Sequence, residues 1–235
     1  MSSYKLTYKL FGDSSILVEW PLSISPEILS DIKGFNDEIL HLQFIQETIP
    51  AYNSITIIYD SLIISSFDCI QYLQDIYKNK KARSNKPSTL WKVPVCYDLS
   101  YGKDMTYLAD TKGLSVSEII ELHSSAVYDI HFIGFLPGFP YLGGLDERLH
   151  TERKQNPELH IKKGAVAIGG KQTGIYPADS PGGWHVIGHT PISLFDVNGI
   201  QPCLVEMGDK LQFYSISKVE LQEHNYELLK ETYHD

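Results

Sequence analysis

Residues 132–149 read FIGFLPGFPYLGGLDERL, and residues 165–195 read AVAIGGKQTGIYPADSPGGWHVIGHTPISLF. Glycine and proline crowd this stretch: Gly134, Pro137, Gly138, Pro140, Gly143 and Gly144, then Gly169, Gly170, Gly174, Pro177, Pro181, Gly182 and Gly183. Flexible linkers use the same residues, but without the interleaved rings of Phe135, Phe139, Tyr141, Tyr176 and Trp184. The combination predicts backbone in unusual conformations beside packed rings. A chain tolerates that where a ligand or partner backbone must come close. Short β segments lie in and around the stretch, at 130–135, 165–168, 184–187, 192–197, 204–207 and 211–215. Many short strands separated by turn signals predict a closed barrel or a sandwich.

Toward the N-terminus the pattern is different. Residues 4–10 and 16–20 read as strands about the turn Gly12-Asp13-Ser14. Ser25-Pro26 opens a helix, with serine as cap and proline in the first turn. Ile28, Ile32, Phe35, Ile39, Leu42 and Ile45 recur at helical spacing as its apolar face. Residues 54–59 are β-branched and read as a strand. Ser65 and Asp68 then cap a second helix with Ile70, Leu73, Ile76 and Tyr77 on its face. The order β-β-α-β-α, closed by a strand near residues 90–97, predicts an α+β sandwich of ferredoxin type. A longer parallel sheet is the alternative. The stretch 78–87, KNKKARSNKP, is basic and polar and ends in proline, so it reads as a linker between domains 1–86 and 87–235. Beyond it, Ser115 and Glu118 cap a helix bearing Ile119, Leu122 and Ala126, and Ser217 and Glu220 cap a last one running through Leu221 and Leu228.

Composition sets outer bounds. A chain of 235 residues, 43% hydrophobic and 21% charged, buries a core of ordinary size. The net charge of −9 argues against nucleic acid, which needs a basic surface. No apolar run reaches the roughly 20 residues of a membrane span, and the N-terminus lacks the apolar stretch of a signal peptide. Cys69, Cys96 and Cys203 are odd in number and widely spaced, and no CxxC pattern occurs. The expectation is a cytoplasmic protein with reduced thiols, neither disulfide-bonded nor zinc-bound.

The candidate motifs each carry two readings. Gly169-Gly170-Lys171-Gln172-Thr173-Gly174 superficially suggests a phosphate loop, but Gln172 stands where a Walker motif needs Ser or Thr. The alternative is a tight turn between barrel strands. In Ser180-Pro181-Gly182-Gly183-Trp184, adjacent glycines leave amides unshielded for an anion or a developing oxyanion, with Tyr176 and Trp184 as walls. The alternative is a glycine-rich barrel corner packed by Trp184. His185 and His189 lack an HExxH context and read as solvent-facing or hydrogen-bonded rather than metal ligands. His123 falls on the Ile119 helix face, where a satisfied core or cleft-edge histidine is expected.

Phe135-Leu136-Pro137-Gly138-Phe139-Pro140-Tyr141-Leu142-Gly143-Gly144-Leu145, with Gln172-Thr173-Gly174-Ile175-Tyr176-Pro177 and Ser180-Pro181-Gly182-Gly183-Trp184, resembles the B subunit of bacterial 5-oxoprolinase. That family includes the KipI inhibitor of a sporulation kinase, carries the older name allophanate hydrolase subunit 1, and has relatives in the carboxyltransferase domain of urea carboxylase. Val93-Pro94-Val95-Cys96-Tyr97, Leu122-His123 and Gly12-Asp13 extend the resemblance over nearly the whole chain. It implies a small ferredoxin-like α+β domain followed by a cyclophilin-like β-barrel. It also implies ATP-dependent opening of 5-oxoproline to glutamate, in partnership with the homologous C subunit and the A subunit of 5-oxoprolinase. ATP would be shared with those partners, and no metal is implied in this chain. Inhibition of a histidine kinase is the rival reading. A carboxyltransferase or allophanate-hydrolase component is a third, disfavoured because no biotin-carrier segment precedes Asp235.

On this reading His123 carries or orients a proton, and Lys171 and Tyr176 join it as catalytic candidates. Arg153, Gln172, Thr173, Ser180, Gly182, Gly183 and Trp184 line the substrate site. The chain departs from the family where an arginine is common and Glu158 stands instead, leaving Arg153, or Lys162 or Lys163 as a substitute, to meet an anion.

Overall fold

Alternation builds the first sheet. Strands β1 (Thr7–Leu10), β2 (Ser15–Glu19), β3 (Ile45–Pro50) and β4 (Ser54–Tyr59) pair antiparallel in the order β1-β2-β4-β3. In β2, Ile16 and Val18 point inward, and in β4 Ile55, Ile57 and Tyr59 do so. Helices α1 (Pro26–Ile39) and α2 (Ser66–Asn79) complete this unit. Ser25 and Ser65 accept the N–H groups of Ile28 and Asp68, so both predicted caps are formed. The buried stripe of α1 is Ile28, Ile32, Phe35 and Ile39, and that of α2 is Cys69, Leu73 and Tyr77. The helical periodicity misreads Ile45, which begins β3. The sheet order is that of a ferredoxin-type sandwich whose edge strand comes first in the chain rather than last. β1 therefore occupies the edge that the sequence assigned to residues 90–97. Asp31 ties the unit together: its carboxylate accepts Trp20 Nε1 and Tyr77 Oη at 2.7 Å each and pairs with Lys80.

The computed structural model describes residues 4–80, 87–223 and 225–233. The chain divides into the units Met1–Lys86 and Pro87–Asp235. Most of the proposed linker, residues 81–86, lies outside the described residues.

The second unit is built from β5 (Ser88–Cys96), α3 (Met105–Lys112), α4 (Val116–Ser125), β6 (Val127–Ile133), β7 (Pro140–Gly143), β8 (Glu158–Ile161), β9 (Ala165–Gly169), β10 (Gln172–Ile175), β11 (Ser180–Gly182), β12 (His185–His189), β13 (Lys210–Ile216), α5 (Lys218–Glu223) and β14 (Leu229–Tyr233). Seven strands run β12-β9-β10-β7-β6-β13-β5, and β5 returns to β12 through Cys96 and His189, closing a cyclophilin-like barrel. β5 and β13 are parallel, and the other pairs antiparallel. The barrel is filled by Val93 and Val95, Tyr128 and Ile130, Val166 and Ile168, Ile187, Leu211 and Phe213, with Met105, Leu108 and Ile119 from the helices.

Two expected strands, 192–197 and 204–207, reduce to one bridge between Phe195 and Cys203. Ile192 and Leu194, in the loop between Pro191 and Pro202, and Val205 just beyond it are buried as apolar anchors, and each proline lacks the N–H a ladder needs. The last helix stops at Glu223, and the chain then turns back as β14 along β5.

Gly138 holds φ +83°, and a side chain there would come within 2.4 Å of Phe195 Cβ. Gly138→Ala should therefore cost about 2–4 kcal/mol, combining left-handed strain with overpacking. An unchanged urea-unfolding midpoint would refute this account of the Phe135–Phe139 loop.

Candidate active site

The barrel's outer face explains why glycines and rings alternate in the sequence. β9 is buried on both sides. Val166 and Ile168 point inward, while Ala165 and Ala167 join an outer cluster with Phe139, Ile161, Tyr176, Trp184 and Val186. The Trp184 indole lies on Gly169, where an added Cβ would meet its atoms at 2.5 Å. Phe139 lies on Gly174 and Tyr176 on Gly182 in the same way, at 2.8 and 2.3 Å. Phe139 meets Trp184 and Tyr176 edge-on, with centroids 5.3 Å apart in each case. The close approach expected from these glycines is thus made by the protein's own rings. Tyr176 is 2% exposed and its hydroxyl accepts the Trp184 amide, so it is not placed to meet a substrate. Burial pushes its pKa up to about 12. Ser180 and Gly182 pair with Ile161 and Glu158 in a two-stranded corner, and the Gly183 carbonyl accepts the Lys154 amide at 2.7 Å. The corner reading describes this motif.

His123 belongs to the barrel core. It is fully buried, stacked on Phe213 with centroids 4.5 Å apart. Thr173 Oγ1 donates to the Ala167 carbonyl at 3.0 Å, so its remaining bond, to His123 Nε2 at 2.8 Å, is one in which the imidazole donates. Nδ1 then accepts from the Tyr97 hydroxyl at 2.7 Å. Every polar atom in this chain of bonds is satisfied inside the barrel. His123 and Thr173 are therefore structural groups, not cleft residues, because neither is reached by solvent.

A cleft of about 800 Å³ opens elsewhere, between α3, the loop 150–156, the β9–β10 turn and the start of β12. The turn is two residues long, and of the pair only Gly170 has positive φ, +64°, the pattern of a type II′ hairpin. This tight turn replaces the phosphate-loop reading and presents Lys171 to the cleft. The loop is held from both sides. Thr151 and Gly170 exchange backbone hydrogen bonds of 2.9 and 2.7 Å. Lys154 donates to Asp104 at 2.7 Å and pairs with Glu158, which also pairs with Lys103. Asp104 accepts the Val186 amide at 2.7 Å. Burial raises the Glu158 pKa, but the two lysines outweigh it and hold the carboxylate below its ordinary range. Glu158 thus anchors the loop, and an arginine there would face Lys103 and Lys154.

Arg153 and Lys171 line the cleft, and neither forms an ion pair among the described residues. The Arg153 guanidinium lies 5.7 Å from the centre of Trp184, whose other contacts fix it. Two cations without an ion-pair partner among the described residues thus line one cleft, together with the carboxylates of Asp104 and Glu152. Lys162 and Lys163 are not part of it: Lys162 pairs with Asp179 at 2.7 Å, and the Lys163 amide donates to the same carboxylate. Gln172 starts β10 beside the turn, outside the lining residues. The sequence by its patterns did not assign Asp104, Tyr107 or Lys154 to a site. Only Asp104, standing before the α3 start, left a trace, as a helix-capping residue type. Among the described residues no His, Cys, Asp and Glu cluster could hold a metal, and no helix is long and apolar enough to cross a membrane.

Fold and cleft together define an α+β chain with a closed seven-stranded barrel and a cleft lined by Arg153 and Lys171. Residues 6–205 match the family model of the carboxyltransferase domain, subdomain C and D. The 5-oxoprolinase B subunit of Escherichia coli O157:H7 is 38% identical over 204 residues, 87% of this chain and 93% of that protein. The crystal structure of TTHA0988 superposes with a TM-score of 0.76 at 28% identity, covering 86% of this chain and 40% of that one. The urea amidolyase of K. lactis shares the fold, with a TM-score of 0.82 at 22% identity over 98% of this chain and 16% of that one. The chain therefore spans less than half of these two larger structures, but most of the bacterial protein. It belongs to the 5-oxoprolinase B-subunit family, the carboxyltransferase subdomain C and D family.

Two outcomes follow from these placements. Gly182→Val should lower the urea midpoint because its side chain meets the Tyr176 hydroxyl, at a cost of about 1–3 kcal/mol. Adding Tyr176→Phe should recover part of that loss, and additive destabilisation would refute the contact. The second concerns pH. Burial lowers the His123 pKa from 6.5 to about 3. The unfolded chain then binds a proton near pH 6.5 that the folded barrel refuses until about pH 3. Stability is fully present above pH 6.5 and falls as pH drops through this window. His123→Gln should flatten the fall by up to one proton's slope, measured as urea midpoints between about pH 7 and 4.5; parallel profiles would count against it.

Proposed function

We propose that this chain is the B subunit of an ATP-dependent 5-oxoprolinase and that its cleft holds the carboxylate of 5-oxoproline. The observation that carries the proposal is the coincidence of an unpaired Arg153–Lys171 pair in the cleft with likeness to a 5-oxoprolinase B subunit over most of both chains. A lactam is resonance-stabilised, so ring opening to glutamate is coupled to ATP through phosphoryl activation of its oxygen before water attacks. The chemistry is shared among chains, with the homologous C subunit and the A subunit completing the assembly. ATP is handled chiefly by those partners, since the two-residue Gly170–Lys171 turn offers no row of amides to cradle a triphosphate. In this chain Arg153 and Lys171 bind and orient the anion, and the Asp104–Lys154–Glu158 network keeps the Arg153 loop in place. A cytoplasmic location follows from the substrate and from ATP.

The test is reconstitution. The purified chain alone should turn over neither ATP nor 5-oxoproline, and activity should appear when the A and C subunits are added. In that assembly Arg153→Ala and Lys171→Ala should each raise KM for 5-oxoproline about 10–100-fold, the scale of one charge-assisted hydrogen bond. Unchanged KM in both variants would remove the substrate from this cleft. An inactive assembly in which this chain instead blocks autophosphorylation of a histidine kinase would establish the regulatory reading.

A further inference from the structure

Helix α3 has a buried face and a cleft face. Met105 and Leu108 are sunk in the barrel core, while Tyr107 and Thr111, four residues apart, line the cleft with Asp104 at the start of the helix. Tyr107 is 54% exposed and lies flat on His185, with centroids 5.1 Å apart and an interplanar angle of 10°. His185 is only 5% exposed, and its Nε2 donates to the Glu152 carbonyl at 2.9 Å. One face of the phenol is therefore occupied by a ring that the protein holds. Its open surface is the other face and the edge, and that surface forms part of the cleft wall.

An exposed ring by itself marks no site, since single exposed apolar side chains are ordinary. Tyr107 differs in two respects. Its helix is anchored by Met105 and Leu108 and its plane by His185, so the platform is set before any ligand arrives. It also shares the cleft with Arg153 and Lys171, which form no ion pair among the described residues. A flat apolar face near two cations suits a ligand that is flat at one end and anionic at the other.

We infer that Tyr107 is the platform on which the flat amide of the substrate rests, with the acid group turned toward Arg153 and Lys171. The inference rests on the cleft being the substrate site. A lactam amide is planar for the same reason as a peptide bond, resonance between nitrogen and carbonyl. In 5-oxoproline that amide lies in a small ring next to the carbon bearing the carboxylate, so one short compound presents both features. Tyr107 is then a specificity-determining residue. It favours a flat ring acid over a puckered one, because only a flat group keeps all its atoms in contact with the phenol face.

The deciding variants are Tyr107→Leu, which keeps apolar bulk without a flat face, and Tyr107→Phe, which keeps the face without the hydroxyl. The probes are 5-oxoproline and tetrahydrofuran-2-carboxylate, an acid of the same ring size with no amide plane. Both are titrated into the assembly with the A and C subunits, without ATP so that nothing turns over. Tyr107→Leu should weaken 5-oxoproline about 3–10-fold, the scale of one aromatic stacking contact, and change the puckered acid less than about 2-fold. Tyr107→Phe should match wild type for both. A merely structural role would weaken both acids together in Tyr107→Leu, and that result overturns the inference. ADP is the third probe. If Tyr107→Leu weakens ADP and leaves 5-oxoproline unchanged, the platform serves a purine and the inference fails. If Arg153→Ala and Lys171→Ala weaken 5-oxoproline while Tyr107→Leu does not, the inference falls and the 5-oxoprolinase reading stands. If none of the three weakens it, the substrate lies elsewhere and both fall.

Discussion

Aromatic rings resting on bare glycine backbone are the contact on which the second unit depends. Trp184 on Gly169, Phe139 on Gly174 and Tyr176 on Gly182 bring side chains to distances that a single Cβ would forbid. Close packing at native density makes such contacts worth several kcal/mol together, and it leaves no room for substitution on either side. The outer layer they form covers a strand that is already buried on its inner face, so β9 is wrapped on both sides like a strand in a parallel sheet.

The cleft inherits its geometry from this corner. Trp184 is locked by Gly169, Phe139 and Tyr141, and His185 is the next residue in the chain. The Arg153 guanidinium lies 5.7 Å from the centre of the same indole. Across the cleft, Asp104 grips both Lys154 and the Val186 amide, so the loop carrying Arg153 and the strand carrying His185 are tied to one carboxylate. Functional groups set on a rigid corner keep their spacing better than groups on a free loop. The Asp104–Lys154 pair is mostly shielded from solvent, which raises its effect above that of an exposed surface pair.

The elements with local signatures were legible. Ser25, Ser65 and Ser115 cap helices as their spacing predicts, and Ser115 forms the full capping box with Glu118. Of the residues singled out in the sequence, Arg153 and Lys171 are brought together in one cleft. Tyr176 misled because a phenol between glycines looks the same whether the glycines admit a ligand or the ring itself. His123 misled less, since burial on the Ile119 face was expected. Glu158 looked like a lost arginine, and its pairing with Lys103 and Lys154 is invisible without the fold.

By itself the sequence determined the kinds of element, their caps, the change from helix-rich to strand-rich pattern, and the family. Those depend on interactions between residues a few positions apart, or on motifs copied intact. Only the tertiary structure decided which strands close the barrel, where β14 returns, and that Arg153, Lys171 and His185 share one cleft. Barrel closure through Cys96 and His189, and the parallel pairing of β5 with β13, join residues about a hundred positions apart. Ladders of that range leave no local pattern, because the same alternating strand satisfies several partners until the core selects one.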